Sequence, residues 1–361
     1  MGKHYRPFTL AKAGEFAGLT RLGTPGRGNV TPVFRIPARE WDYDKGSFSK
    51  TETAHVETVT KKLVAAWGGS AGYVDLSLFG SDAAIHGVHP LRYVVETAAT
   101  GGVNLMPLVR PDSSAAFVTE AAAIQRERSG GVGVHLEEDY WLTVDPSALP
   151  ALLSSLGVAP SVVDVMVDYR TGSGALVRVA VDGEVNALER LGGFRSITVG
   201  GSAFPALTSA ARGTSEFDRD DWLTYESVQA VRAGREDSTP DYLDHIIVCP
   251  DLIDQQVDPR VLSISAMLRY TVTEKWLIAK GALFKGGKPR PGVLTGGAAL
   301  IAPLQVLRTH PDFATPIRTQ TDDWIDAVVA GTTTPGNPTK WREWGTLRHI
   351  EVTLHQLSTL A

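Results

Sequence analysis

The run Val162-Val163-Asp164-Val165-Met166-Val167-Asp168-Tyr169-Arg170, the turn Gly172-Ser173-Gly174, the helical stretch Gly174 to Leu191 and the second run Phe194 to Ser202 decide the architecture. Valines at every other position of the first run mark a strand, because side chains alternate across one. Strand, helix and strand in this order form a βαβ unit with its two strands parallel. The same reading extends outward. Strand candidates stand at Val30 to Ile36, Gly72 to Leu78, Asn104 to Arg110, Gly131 to Glu137, Leu243 to Pro250 and Ser265 to Val272, with helix-like stretches between most of them. Eight strands over about 245 residues predict a closed (β/α)8 sheet, a TIM-barrel-like α/β fold. The alternative, an open doubly wound sheet, would show a glycine-rich nucleotide loop after its first strand, whereas Pro37-Ala38-Arg39-Glu40-Trp41-Asp42 stands there. Past the eighth candidate come the loop Lys285 to Gly292, helical stretches and a final apolar stripe of Leu347, Ile350, Leu354 and Leu357. The expected organisation is a barrel with an N-terminal lead-in over 1–284 and a helical extension over 285–361 packed on it.

Composition narrows the function classes. The chain has 361 residues, 43% hydrophobic and 21% charged, which is the mix of a globular protein. Cys249 is the only cysteine, so a disulfide framework and a cysteine-rich zinc site are excluded. No uncharged apolar run reaches the length of a membrane span, and a net charge of −5 does not point to nucleic acid. A cytoplasmic protein without membrane contact is expected.

Several motifs come close without matching. Gly68-Gly69-Ser70-Ala71-Gly72 has the letters of a nucleophile elbow, but it leaves a helix and enters a strand, the reverse of what that motif needs. Gly172-Ser173-Gly174 reads as a strand-to-helix turn, and Gly200-Gly201-Ser202 closes a strand where barrels often offer backbone N–H groups to phosphate, making Ser202 a candidate ligand contact.

Subtracting the helix-facing residues leaves the faces that point into the barrel. They are polar: Asp75 on the second expected strand, Arg110 on the third, His135 and Glu137 on the fourth, Asp164, Asp168 and Arg170 on the fifth, Arg35 on the first, Arg269 on the eighth, and Asp244 or His245 on the seventh. Buried ions without partners cost several kcal/mol each, so these charges either neutralise one another in a structural network or face a ligand-filled mouth. Arg110, Glu137, Asp168 and Arg170 end their strands on the side where barrel enzymes build sites. Guanidinium forks suit phosphate or carboxylate. In a catalytic version Glu137 or Asp168 would be the base and His135 an acid or base. The candidate ligand contacts are Arg35, Asp75, Arg110, Arg170, Ser202, Asp244 and Arg269. Glu137 and Asp168, with Asp75 or His135, form the one carboxylate set suited to a divalent metal, although no compact ligand motif supports it.

The ends of the chain carry a family resemblance. His4-Tyr5-Arg6-Pro7 with Ala11-Lys12-Ala13-Gly14-Glu15-Phe16, then Leu268-Arg269-Tyr270-Thr271 with Lys275-Trp276-Leu277-Ile278-Ala279-Lys280-Gly281, and finally Trp341-Arg342-Glu343-Trp344-Gly345 with Arg348-His349-Ile350, resemble the bacterial and phage beta protein family. Leu243-Asp244-His245 departs from its Gly-Asp-Tyr pattern by losing the tyrosine. The resemblance implies a barrel-like fold and an association with phage genomes and phage conflict, and it names no substrate. The combined expectation is recognition of an anionic ligand at the barrel mouth. The alternatives are a scaffold that holds a protein partner encoded alongside it and a hydrolase or lyase on a phosphorylated substrate.

Overall fold

A computed structural model describes residues 3–206, 210–253, 258, 263–285 and 294–360. In chain order its strands are β1 (Tyr5–Leu10), β2 (Val33–Arg35), β3 (Trp41–Asp42), β4 (Ser47–Phe48), β5 (Ala71–Asp75), β6 (Asn104–Val109), β7 (Val132–Glu137), β8 (Val163–Asp168), β9 (Ser196–Gly201), β10 (Gly213–Asp218), β11 (Asp241–Asp244), β12 (Ile264–Thr271) and β13 (Lys275–Lys285). The helices are α1 (Ala13–Arg21), α2 (Thr24–Arg27), α3 (Glu52–Trp67), α4 (Pro90–Thr100), α5 (Ala115–Arg128), α6 (Ala148–Leu156), α7 (Gly174–Leu191), α8 (Asp220–Gly234), α9 (Ile301–Arg308), α10 (Gln320–Val329) and α11 (Pro338–Thr359).

Eight parallel strands close into a barrel in the order β1-β11-β9-β8-β7-β6-β5-β2, so the open-sheet alternative is excluded. Seven of the eight expected strands contribute to it. The eighth, Ser265 to Val272, does not: β12 turns back directly into β13, with Val272 N–H bonding Lys275 O at 2.9 Å, and the two pair antiparallel beside β10. So tight a turn cannot make a parallel crossover. The missing barrel strand is β1, which pairs with β2 on one side and β11 on the other. Of the expected loop Lys285 to Gly292, all but Lys285 lies outside the described residues.

The barrel interior has three tiers. At the N-terminal end Arg6 donates to Asp241 Oδ2 at 2.7 Å and Thr198 Oγ1 at 2.8 Å. Beside it Asp164 accepts from Arg195, Tyr73 and Ser196. The waist is apolar, built by Phe8, Val33, Tyr73, Met106, Leu108, Met166 and Leu243. This corrects the expectation of a polar interior throughout: Met and Phe seal the middle, and the charges are pushed to both ends. Gly200 lets β9 and β11 approach, since a Cβ there would stand 1.8 Å from Leu243 O. Gly200→Ala therefore forces the two strands apart, with an expected loss of about 3 kcal/mol, read as a lower denaturant midpoint at unchanged slope.

A second buried polar layer lies outside the barrel, under α8 and α11. Asp244 accepts from Tyr5 Oη at 2.6 Å and from Ile246 N–H at 2.9 Å, and pairs with His349 Nε2 at 2.7 Å. Arg348 donates to Asp322 Oδ2 at 2.8 Å and to the carbonyls of Thr271 and Ile317 at 2.9 and 2.6 Å, pinning α11 to β12 and α10. Trp341 and Trp344 are buried and anchor the same helix. Next to this layer Asp221 is 0% exposed, and among the described residues no side chain bonds either of its carboxyl oxygens, which have only the backbone N–H groups of Asp221 and Trp222 near them. Burial pushes its pKa up to about 7, against the pull of Arg219 and helped by the charge on Asp244.

Candidate functional site

The C-terminal tier of the interior forms the floor of the mouth. Asp168 stands at its centre, 0% exposed. Oδ2 is shared by His135 Nε2 at 3.0 Å and His245 Nε2 at 2.9 Å, and Oδ1 accepts from Arg170 N–H at 2.7 Å. Arg35 Nη1 lies 3.3 Å from His245 Nδ1. Because arginine only donates, this fixes the tautomer in which His245 Nε2 carries the proton toward Asp168. Arg35 Nε also bonds Asp75 Oδ2 at 3.1 Å, and its guanidinium lies over the Phe8 ring, 4.5 Å from the centroid.

Burial alone would raise the Asp168 carboxyl. The charge of His245 and the hydrogen bonds from both imidazoles outweigh it and hold the group well below the usual carboxylate range. The same burial depresses His245, with Arg35 and His135 adding to the effect and Asp168 opposing it.

Above this floor the charges form a chain. Glu137 accepts from Arg110 through both oxygens at 3.2 Å and from Arg170 Nη1 at 3.1 Å. The outer nitrogens of the two arginines reach loop carboxylates: Arg110 Nε bonds Asp112 at 2.9 Å and Arg170 Nη2 bonds Asp251 at 2.9 Å. Against the burial that opposes it, hydrogen bonding to Asp112 and the charges of Glu137 and Asp112 raise the Arg110 pKa further, so it is charged at any working pH. Arg170 takes a left-handed backbone (φ 47°), as does Ile246 past β11 (φ 57°). These turns let Asp168 and Asp244 each cap the N–H two residues on.

Beside this chain a cavity of about 400 Å³ opens between the ends of β5 and β6, lined by Asp75, Ser77, Ser81, Asp82, Arg110 and Ser114 among others. Its two charged floor groups are braced from behind: Asp75 by Arg35, and Arg110 by Glu137. Ser114 Oγ caps α5 by accepting from Phe117 N–H at 3.1 Å and donates to Asp82 Oδ2 at 2.6 Å.

The structure thus brings together Arg35, Asp75, Arg110, His135, Glu137, Asp168 and Arg170. Three expected contacts lie elsewhere. Asp244 faces outward to His349, and its neighbour His245 fills the mouth. Arg269 is on β12, outside the closed sheet, donating to Ile247 O at 2.6 Å. Ser202 is buried and donates to Val248 O at 3.2 Å, while a Cβ on the preceding Gly201 would stand 2.4 Å from the Tyr169 ring. The glycines there serve close packing. Sequence reasoning did not find Asp112 and Asp251, which sit in loops where alternation says nothing.

His135, Glu137 and Asp168 have ligand atoms within 4.8 Å of one another, the spacing of a metal site. They do not fit a divalent cation. Both Glu137 oxygens are held by Arg110, Asp168 Oδ2 is held by two imidazoles, and Arg35, Arg110 and Arg170 would stand around the ion.

No helix among the described residues is long and apolar enough to cross a membrane. Over residues 5–355 the sequence matches the family model described as Beta protein. No curated protein matches the chain.

Proposed function

The chain belongs to the Beta protein family, and from the construction of its mouth we propose that it recognises a small anionic ligand rich in hydroxyl groups, of the phosphosugar class. One observation carries this reading. Arg110 and Asp75 floor the 400 Å³ cavity and are fixed in place, Arg110 by Glu137 and Asp75 by Arg35 and the Ser77 N–H, with Asp112 of the lining on the remaining side of Arg110. Arg110 supplies a fork for phosphate or carboxylate once Asp112, 46% exposed, swings away. The serines and aspartates of the walls match donors and acceptors on sugar hydroxyls. Recognition fits better than turnover, because Asp168 is buried under three donors and Glu137 is clamped by two arginines, so neither is placed to take a proton from a ligand. We attach this recognition to phage and host conflict on the strength of the resemblance alone.

Thermal unfolding against phosphosugars, nucleotides, carboxylates and divalent ions tests it. A ligand at 100 times its Kd adds about 2.7 kcal/mol to the folded state. A phosphosugar should raise the wild-type midpoint and leave Arg110→Ala unmoved. A panel with no effect on the wild type, or an equal rise in the variant, would overturn the reading.

A further inference from the structure

A second cavity, of about 550 Å³, opens among the C-terminal ends of β1 and β2, the start of α1, the β4-to-α3 connection, α3 and the start of α11. Its charged lining is Lys12, Lys50, Lys62 and Arg342 against Glu15 and Glu40, an excess of two positive charges in a chain of net −5. The acids do not neutralise the lysines. Glu15 is buried and pairs with Arg342 at 3.5 Å. Among the described residues Lys12 and Lys62 make no ion pair, and Lys50 reaches only Thr58 Oγ1, at 3.3 Å. At the barrel mouth, by contrast, each arginine on the floor or rim has a carboxylate partner.

Lysines usually avoid one another on a surface, because like charges at short range repel. Three of them lining one concavity, with Glu40 the one carboxylate of the lining not paired to Arg342 and no ion pair to any of the three among the described residues, leave a net positive potential, and a concave wall of low dielectric focuses it. The volume lies within the range of small-molecule sites. Lysine presents a compact charge with three rotatable donors, which suits the scattered oxygens of a phosphate chain better than one flat carboxylate.

We propose that this cavity binds a phosphate-bearing anion with more than one phosphate group, Lys12, Lys50 and Lys62 supplying the charge and Arg342, held in place by Glu15, closing its inner end. The site stands apart from the proposed phosphosugar contacts, none of which it shares.

Calorimetric titration of the full chain with inorganic pyrophosphate tests it, using wild type, Lys12→Ala/Lys62→Ala and Arg110→Ala. Both lysines are exposed, so the double variant keeps the fold. The expected result is binding by the wild type that weakens with added salt, falls at least tenfold in the lysine variant and stays within twofold in Arg110→Ala. The absence of pyrophosphate heat at millimolar concentration would overturn the proposal, as would equal binding by the lysine variant. Loss of binding in Arg110→Ala alone would place pyrophosphate in the mouth, and would support that reading while sinking this one.

Discussion

Asp221→Asn is expected to make the protein more stable than the wild type above pH 7 and to leave it nearly unchanged near pH 4. The carboxyl is fully buried with no side-chain partner among the described residues, and its pKa is raised to about 7. In the unfolded chain it returns to about 3.9. Below that value both states hold the proton and the group contributes nothing to the balance. Between about 4 and 7 the unfolded chain releases its proton while the folded chain does not, so folding loses stability as pH rises through this window and stays level above it. A displacement of that size corresponds to about 4 kcal/mol at most. Asparagine carries no proton to lose and recovers much of that, less what its own unpartnered amide costs. Urea unfolding of both proteins at pH 4, 6 and 8 would show the gap opening with pH. A constant gap would mean that Asp221 has a partner in solution that holds it ionised.

The opposite sign is expected at the barrel mouth. Asp168→Ala removes the acceptor of two buried imidazoles and of the Arg170 N–H. Breaking one member of a buried charged set costs about 3–5 kcal/mol, which is a large fraction of a typical folding free energy. The wild type should also lose stability in acid by two routes. Asp168, depressed in the folded state, contributes stability above its unfolded value near 3.9 and loses it as pH falls through its folded pKa. His245 is depressed as well, so the unfolded chain takes up a proton first as pH drops below about 6.5, and stability declines from there. In Asp168→Ala the steep lower limb of the acid profile should flatten. Denaturant midpoints between pH 3 and 8 would measure it, and a variant as stable as wild type at pH 7 would show that the mouth charges do not hold the fold together.

The alternation in the chain located seven of the eight barrel strands because helices cover one side of each, which leaves a clear apolar face to subtract. It failed where that contrast is missing. In Tyr242-Leu243-Asp244-His245 both faces carry polar groups, since the outer one packs on His349 of α11 and not on an apolar helix. Hydrophobicity could not say which of Asp244 and His245 points inward. The strand Tyr5–Leu10 carries Pro7, Arg6 and Thr9 and lacks a β-branched run, so it read as a lead-in. Arg269 shows the converse error: period two marks any strand, and nothing in β12 itself distinguishes an antiparallel hairpin from a barrel stave. The site residues that were legible, Arg35, Asp75, Arg110, His135, Glu137, Asp168 and Arg170, lie on strands with apolar neighbours or within two residues past the end of one.

The ring is closed by its first six-residue strand, which pairs with β2 close by in sequence and with β11 more than two hundred residues later. On the ribosome this segment emerges before every other stave and must wait for the last of them, β11, before its second edge is satisfied. Until then the growing sheet has open flanks able to pair with other chains. A nascent chain of this protein therefore depends on holding β1 in reserve until β11 is made. Deleting Tyr5–Leu10 would yield a permanently unclosed sheet, prone to associate edge to edge, and not merely a shorter barrel.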